Sequence, residues 1–405
     1  MSGSEHYRHI RWLTYLMFMA FAMTTDAVGV VIPQVTKEFG LSLTAAGAIH
    51  YAPMIAIALS GIGLGFMADR LGRKKTVITG LALFSLSSFL VLTTHSFLPF
   101  LGLLTVSGLA IGIFKTGALA LIGDISPNSK VHTSTMNMVE GFFGVGAIIG
   151  PAIVSYLLSA GMPWDYLYAI AGVLCLGLCW LAYATGYPAF QPKKAGHTSL
   201  GQTFALLKDR HALGFSLAIA FYVATEVAIY VWMPSLLKEY RGHLVWLATY
   251  ALTVFFVLRA AGRLLGGWLV RRVHWAVLMF SFSLAIFLCY LGTMIGGVSV
   301  AVFLLPLSGL FMAMMYPTLN SKGISCFERH HHGAVAGIIL FFTAAAAALG
   351  PLLMGVVSDA LGDIRYGFYL ATGFAGALWL LMAINLLVRP ADARLAAIEA
   401  GVDHG

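Results

Sequence analysis

Apolar stretches of about 20 residues recur along the whole chain and constrain its fold more than any other feature. A run of that length lets one α-helix cross the hydrocarbon core of a bilayer. Because backbone groups in lipid must be bonded within their own segment, repeated runs of this kind predict membrane-spanning helices. Composition agrees, since 60% of the residues are apolar and 10% are charged, whereas about a quarter of a soluble domain is charged. The sequence therefore predicts an all-α integral membrane protein.

The apolar runs number twelve and are numbered here as spans 1 to 12. Their approximate limits are 12–33, 44–67, 74–94, 98–122, 133–159, 164–186, 211–236, 245–268, 275–295, 298–320, 333–357 and 366–388. A long polar linker separates the sixth span from the seventh. We therefore expect an N-terminal six-helix half (1–190), a central cytoplasmic loop (191–210), a C-terminal six-helix half (211–390) and a cytoplasmic tail (391–405).

The distribution of Lys and Arg predicts the orientation of the chain. If the N and C termini are both cytoplasmic, most of the 24 Lys and Arg residues lie on the inner side. The outer side keeps Lys37, Lys238, Arg241 and Arg365. Membrane proteins concentrate positive charge on the cytoplasmic side, so the net charge of +8 needs no nucleic-acid partner. We expect a multi-pass protein of a cell membrane, with a bacterial inner membrane as the default.

A short polar stretch between spans 2 and 3 is the densest cluster of charge. It reads Gly65-Phe-Met-Ala-Asp69-Arg70-Leu-Gly72-Arg73-Lys74-Lys75. Charges packed this closely cannot lie in hydrocarbon, so they predict a tight turn in water. The glycines permit close backbone approach, and Asp69 can pair with the neighbouring cations. The simpler alternative is an ordinary positively charged cytoplasmic loop.

Matching features occur in the two halves at an offset of 200 residues. Gly150-Pro151 in span 5 recurs as Gly350-Pro351 in span 11, and Asp26 in span 1 corresponds to Glu226 in span 7. An acid at both equivalent places favours two pseudo-symmetric halves. Transporters built from such repeats hold their solute between them, near the bilayer midplane.

Charged residues inside the spans are the first functional candidates, because each costs about 2.5–3.5 kcal/mol at the bilayer centre. Asp26 is interpreted as a proton acceptor or a solute contact, and the alternative is a structural ion pair with Lys115 of span 4. Lys115 requires an anion, which could be Asp26, Glu140 of span 5 or a carboxylate on the solute. These alternatives stay open. Asp26, Glu140 and Glu226 are the candidates for proton coupling.

Other polar side chains follow helical spacing within their spans. Asn137 shares a polar face of span 5 with Glu140, and Tyr222 shares one of span 7 with Glu226. A third face, in span 10, carries Tyr316 and Asn320. The predicted solute contacts are Lys115, Asn137, Tyr222, Tyr316 and Asn320.

Several conspicuous residues receive a structural interpretation. Pro317 is expected to break span 10. Arg259 in span 8 is expected to reach towards the cytoplasmic side, and His50 in span 2 to be a hydrogen-bonded packing residue. No metal site is expected at His330–His332 with Glu328, because consecutive histidines on a loop seldom form one.

The stretch 65–75, in its place between spans 2 and 3, resembles the signature loop of the major facilitator superfamily of secondary transporters. The resemblance covers nearly the whole chain. Four further patches are similar to the fucose-galactose-glucose:proton symporter branch. They are Tyr222-Val-Ala-Thr-Glu226 through Trp232, Gly262-Arg263-Leu-Leu-Gly266, Tyr316-Pro317-Thr318-Leu-Asn320-Ser321, and Asn137-Met-Val-Glu140-Gly-Phe-Phe-Gly144-Val-Gly146-Ala.

This resemblance implies the major facilitator fold and a monomeric, proton-coupled importer of a sugar, working by alternating access with the proton gradient and no cofactor. Members of the fucose type couple import through acids in helices 1 and 4. Asp26 matches the first, but at the helix 4 position this chain has Lys115 and not an acid, which makes a sugar acid or small organic anion a serious candidate. Gly65 with Asp69, Arg70 and Arg73 would form a cytoplasmic conformational latch.

Functions of other classes are less well supported by the sequence. Proton-linked efflux of drugs or metabolites uses the same scaffold, and the pattern Gly146-x-x-x-Gly150-Pro151 resembles part of an antiporter motif. An enzyme is not expected, because the chain has no His-Glu-x-x-His and no nucleophile elbow.

Overall fold

The computed structural model describes residues 7–63, 71–125, 129–187, 208–269, 272–327 and 332–402. Its helices, in chain order, are α1 (Arg8–Thr25), α2 (Val28–Phe39), α3 (Leu43–Gly63), α4 (Arg73–Val91), α5 (Phe97–Ile125), α6 (Ser129–Ser159), α7 (Tyr166–Ala184), α8 (Arg210–Leu237), α9 (Val245–Thr249), α10 (Ala251–Leu269), α11 (Trp275–Gly296), α12 (Val298–Met312), α13 (Met315–Ser325), α14 (His332–Leu361), α15 (Ile364–Val388) and α16 (Pro390–Val402). These ranges contain no strand. The predicted all-α fold is confirmed.

Eleven segments of the described chain are long and apolar enough to cross a membrane. Span 1 consists of α1 and α2, and span 10 of α12 and α13. The eighth predicted span, 245–268, coincides with α9 and α10, which are not among the eleven. Helix α10 has 19 residues and includes Arg259 and Arg263. The multi-pass membrane character that the sequence predicts is confirmed.

The chain divides into two compact units, Met1–Ala195 and Gly196–Gly405. Helices α1 to α7 belong to the first unit and α8 to α16 to the second. Aromatic side chains of spans 1, 3 and 4, among them Phe18, Phe84 and Phe114, form much of the core of the first unit. In the second unit, Tyr222 and Trp232 of span 7 are almost completely buried. Each unit therefore packs around its own first span.

Span 5 approaches span 1 closely at two glycines. A Cβ atom added at Gly146 would lie 2.1 Å from the backbone oxygen of Met19, and one at Gly150 would lie 2.0 Å from that of Met23. Small residues of this kind let two membrane helices pack backbone against backbone. This contact fixes α6 against the last turns of α1, next to Asp26.

Span 11 packs against span 7 at the equivalent place in the second unit. A Cβ atom at Gly350 would lie 3.1 Å from the Cα atom of Ala224. The indole Nε1 of Trp232 donates a 3.1 Å hydrogen bond to the backbone oxygen of Pro351. The recurring Gly-Pro pair thus supports the acid-bearing span in both units.

Replacing Gly150 with Ala is expected to lower the free energy of unfolding by about 1–3 kcal/mol, the usual range for overpacking. The backbone oxygen of Met23 cannot rotate away from the new methyl group, so the two helices must separate. Gly144→Ala on the same helix is the matched control, because a Cβ atom there meets nothing within 4 Å. Thermal unfolding in detergent measures both variants, and equal melting temperatures would contradict the close packing.

Two spans are interrupted. Helix α1 ends at Thr25 and α2 begins at Val28, which leaves Asp26 and Ala27 between them. Helix α12 ends at Met312 and α13 begins at Met315. Broken helices leave backbone groups available to other partners, and secondary transporters use such breaks at their solute and ion sites.

The break in span 10 lies one turn before the proline expected to cause it. Pro317 is in the first turn of α13, where its missing N–H has no helical acceptor in any case. In a continuous helix the proline ring would clash with the carbonyl group four residues earlier, at Ala313, and α12 ends just before that residue. The break in span 1 has no comparable signal, since neither Asp26 nor Ala27 is a helix breaker.

Candidate functional site

Asp26 occupies the interruption of span 1. The residue is 7% exposed. The hydroxyl Oγ1 of Thr25 donates a 2.9 Å hydrogen bond to Asp26 Oδ2, and it also lies 3.2 Å from the backbone oxygen of Phe21. A buried carboxyl group at a break in a membrane helix has the position expected of a proton or solute site.

Lys115 lies half-buried on α5, beside span 1. Its ammonium nitrogen stands 5.9 Å from the ring centre of Phe18 and 5.5 Å from that of Phe21, within range of cation–π attraction. Glu140 and Asp26 both attract it electrostatically. Neither carboxylate is a direct ion-pair partner of Lys115, with N–O of 4 Å or less, in the part of the chain that the structure describes. Asp26, Lys115 and Glu140 are called the N-terminal cluster below.

Span 5 supplies the remaining acid of this cluster. Glu140 is exposed on α6, and its attraction for Lys115 is stronger than that of Asp26. Asn137 lies on the same helix nearly one turn earlier, and its side chain is outside the described residues. The structure therefore brings three predicted site residues together in the first unit and leaves the fourth side chain undescribed.

The second unit holds a tightly connected cluster. Tyr222 Oη lies 2.7 Å from Glu226 Oε1 and 3.0 Å from the backbone oxygen of Met312, and its single proton can be donated to either acceptor. Arg259 Nη2 lies 2.6 Å from the same Glu226 oxygen, with the side chains of Arg259 and Glu226 17% and 10% exposed. The Met312 carbonyl belongs to the last residue of α12, at the break in span 10. Tyr222, Glu226 and Arg259 are called the C-terminal cluster below.

The expectation that Arg259 reaches towards the cytoplasmic side was wrong. Its guanidinium turns to Glu226 on the neighbouring helix, because a buried carboxylate is a far stronger partner than the membrane interface. The sequence contains a signal for the pairing of Arg259 with Glu226, because a cation and an acid inside the spans of one half are expected to pair. Lys115 and Arg259 are the cations that the predicted orientation leaves inside spans, and each half also carries an acid in its first span.

Tyr316 and Asn320 lie on α13, directly after the break in span 10. The ring centres of Tyr316 and Tyr222 are 6.5 Å apart, so Tyr316 borders the C-terminal cluster. Asn320 is one turn further along the same face of α13 and is half-buried. Three of the predicted solute contacts thus lie in one region of the second unit.

Of the predicted latch, the structure describes one member. Gly65, Asp69 and Arg70 lie outside the described residues. Arg73, at the start of α4, forms a 2.9 Å ion pair from Nε to Oδ2 of Asp124 near the end of α5. The next residue, Lys74, donates to the backbone oxygens of Tyr183 and Thr185. This end of span 3 is thereby tied to spans 4 and 6 of its own unit.

Gly72 explains why the turn before α4 needs a glycine. Its φ angle is +85°, a conformation that other residues adopt only with strain. The residue directly precedes the helix and positions Arg73 in the first turn of α4. The sequence motif therefore has a backbone role that is separate from its charges.

Potential metal ligands are not grouped in the described chain: it contains no set of three or more His, Cys, Asp or Glu residues that could hold an ion. Glu328 and His330–His331 are outside the described residues, as is the side chain of His332. The four cysteines are free.

A comparison with family models decides the class of this two-unit, membrane-spanning fold. The model of the Major Facilitator Superfamily matches residues 14–348. The chain belongs to the major facilitator superfamily. It is therefore a membrane transporter and not an enzyme, as the sequence predicts.

Among its relatives, this major facilitator chain is 25% identical to the L-fucose-proton symporter of Escherichia coli K12 over 385 residues, covering 86% of each protein. It is 24% identical to the gallate transporter of Pseudomonas putida over 293 residues, covering 64% of this chain and 65% of the relative.

Solved structures show the same fold. The nucleoside transporter NupG matches with a TM-score of 0.75 at 15% identity, covering 94% of this chain and 98% of NupG. The transporter FucP in its outward conformation matches with a TM-score of 0.62 at 23% identity, covering 93% and 99%. A bacterial inner membrane is consistent with these relatives.

Proposed function

We propose that this transporter is a proton-coupled symporter that imports a small organic anion, such as a sugar acid or an aromatic acid. The observation that carries the proposal is the N-terminal cluster. In it, the buried Asp26 at a helix break interacts electrostatically with Lys115, whose ammonium group can bind a carboxylate of the solute. The relatives include an L-fucose-proton symporter, a gallate transporter and a 4-hydroxybenzoate transporter.

Asp26 is the proposed proton carrier, with Glu140 as a second candidate. Glu226 is less suited to this role, because protonating it would leave Arg259 as a buried cation without its counter-ion. Asp26 lies at the helix break, and its neighbour Thr25 can hydrogen-bond the carboxyl group in either protonation state. The C-terminal cluster is then a fixed element of the site, and Tyr316 and Asn320 supply further solute contacts.

Lys115 is the proposed handle for the solute carboxylate. Among the described residues, its ammonium group lies over two aromatic faces, which attract a cation more weakly than a carboxylate does. An incoming carboxylate would compete with the longer-range attraction of Glu140 and Asp26.

The proposed transport cycle is alternating access, in which the two halves move around a midplane site and deliver solute and proton together. The proposed functional unit is a monomer that uses no cofactor. Pairing by Asp69, Arg70 and Arg73 would stabilise one of the two conformations.

A thermal-shift screen of the purified protein tests the substrate class. The panel contains L-fucose, gluconate, gallate, 4-hydroxybenzoate and the hydrophobic cation tetraphenylphosphonium. A ligand at 100 times its Kd stabilises the folded state by about 2.7 kcal/mol, which raises the melting temperature. We expect stabilisation by one or more of the anions. Stabilisation by L-fucose alone would favour a neutral sugar, and stabilisation by the hydrophobic cation alone would favour efflux.

Replacing Lys115 with Ala is expected to weaken binding of the stabilising anion at least about 30-fold, because removing one partner of a buried charge pair costs 2 kcal/mol or more. Lys115→Arg keeps the positive charge and should retain part of the affinity. Lys75→Ala, at the start of α4, is the control for loss of a lysine in the same unit. Unchanged anion binding in Lys115→Ala would overturn the carboxylate assignment.

A further inference from the structure

A small cavity lies inside the N-terminal unit, beside Thr25. Spans 1, 2, 3, 4 and 6 all contribute to its wall, and its volume is about 30 Å³. That is room for about two water molecules. Its polar lining residues are Thr24, Thr25, His50, Ser107 and Tyr168. The cavity therefore offers water both space and hydrogen-bonding partners.

Thr25 links the cavity to the carboxyl group of Asp26. Thr25 lines the cavity, and the Thr25 hydroxyl donates to Asp26 Oδ2 at 2.9 Å. His50 and Tyr168 are the titratable residues of the described wall, contributed by spans 2 and 6, and spans 3 and 4 add no charged or titratable group to it. An imidazole is the side chain best suited to exchange protons near neutral pH. The arrangement places a histidine on the same cavity as the hydroxyl that contacts Asp26.

The cavity lies towards one end of the unit. His50 is seven residues from the start of α3, Ser107 is ten residues from the start of α5, and Tyr168 is in the first turn of α7. At a rise of about 1.5 Å per residue, these side chains lie within roughly 15 Å of those helix starts. The charge distribution predicts that this end faces outwards. A proton from the outer solution would thus meet the cavity before it meets Asp26.

We infer that protons from the outer solution reach Asp26 through this cavity. His50, in the cavity wall, is the group that relays them. A hydronium ion that enters the cavity from the outer solution gives its proton to a ring nitrogen of His50 and becomes water. The imidazolium passes a proton through water to the Thr25 hydroxyl, whose own proton moves to Asp26 Oδ2. His50 returns to its neutral form, and the net change is one proton moved from the outer solution to Asp26.

This inference rests on the proposed role of Asp26, and infrared spectroscopy can test the two separately. The protein is reconstituted in membranes, the pH is dropped rapidly, and the C=O stretching band of protonated Asp26 is followed. Its absence in Asp26→Asn identifies the band. His50→Gln should slow the appearance of the band at least about a hundredfold, the lower end of the range for loss of a proton-transfer group. His95→Gln, in the segment between α4 and α5 and absent from the cavity wall, should leave the rate unchanged.

Chemical rescue distinguishes a relay from a packing role. His50→Ala leaves space for an imidazole molecule, so added imidazole should restore most of the lost rate. A packing defect would not respond to the proton affinity of the additive, whereas a relay should respond to imidazole and not to a non-titrating analogue such as pyrrole.

A second measurement leaves His50 in place, in case its variants fold poorly. Met54 lines the same cavity. In a chain whose native cysteines are replaced, Met54→Cys is labelled from the outside with a small hydrophilic thiol reagent. Labelling should slow protonation of Asp26 by filling the cavity. A normal rate in His50→Gln and in fully labelled Met54→Cys would overturn the access path while leaving Asp26 as a proton carrier. No Asp26 band at any pH would overturn both.

Discussion

The variant Asp26→Asn is expected to bind the solute and carry it down its gradient, but not to concentrate it against a gradient. Asparagine has the shape of the acid and can still accept the hydrogen bond from Thr25, so the helix break should persist. It cannot carry a proton. With one proton per solute, a pH difference of one unit, worth 1.36 kcal/mol, supports about tenfold accumulation. In the variant this ratio should fall to one.

Uptake into proteoliposomes with an alkaline interior measures this effect. Asp165→Asn makes the same chemical change next to the start of α7 and should keep full accumulation. Exchange of labelled for unlabelled solute across the membrane, with no pH difference, checks that Asp26→Asn still transports. If the variant accumulates solute as well as the parent chain does, Asp26 has no part in coupling.

The second large effect is expected at the C-terminal cluster. Glu226→Gln leaves Arg259 as a buried cation without its counter-ion, which should lower the free energy of unfolding by about 3–5 kcal/mol. Removing both charges in Glu226→Gln with Arg259→Met should restore most of that loss, because replacing a whole buried ion pair by neutral groups is often close to neutral. Unfolding by SDS in mixed micelles measures the three variants.

An exposed ion pair provides the comparison. Asp363 contacts Arg365 at the start of α15, where the Arg365 side chain is 59% exposed. Asp363→Asn keeps the helix-capping group and removes the charge, so its effect should be far smaller than that of Glu226→Gln. A double variant at Glu226 and Arg259 that is as unstable as the single variant would show that the residues act through packing and not through their charges.

Spans were predictable because hydrophobic length is a local property of the sequence. The apolar runs that form α4, α7 and α11 were located without knowledge of their neighbours. The interruption at Asp26 and Ala27 was not predictable in this way, because neither residue disfavours a helix strongly. Span 5 packs closely against the turns just before the interruption, at Gly146 and Gly150, and the pattern alone does not reveal that contact.

The N-terminal cluster was largely predictable, since an acid and a lysine inside apolar spans must face protein and not lipid. Sequence could not decide whether Asp26 and Lys115 form a direct ion pair. The structure has the Lys115 ammonium over the rings of Phe18 and Phe21, an arrangement that depends on the rotation of α5 against α1.

The C-terminal cluster shows which contacts helical spacing does not predict. Tyr222 and Glu226 were found from their helical spacing, but Arg259 was not recognised as their partner. Helical spacing relates residues within one span, whereas the contact between Glu226 and Arg259 joins α8 to α10. The roles proposed for both clusters in transport remain predictions.

Proton movement that accompanies solute uptake is the most direct test of the central claim. Proteoliposomes without a pH difference are mixed with the anion that stabilises the protein, and the external pH is followed with a dye in weakly buffered medium. Symport predicts that the external solution becomes more alkaline as solute and protons enter together, and that Asp26→Asn abolishes the change. Solute entry at an unchanged external pH, or acidification of the medium, would contradict proton-coupled import.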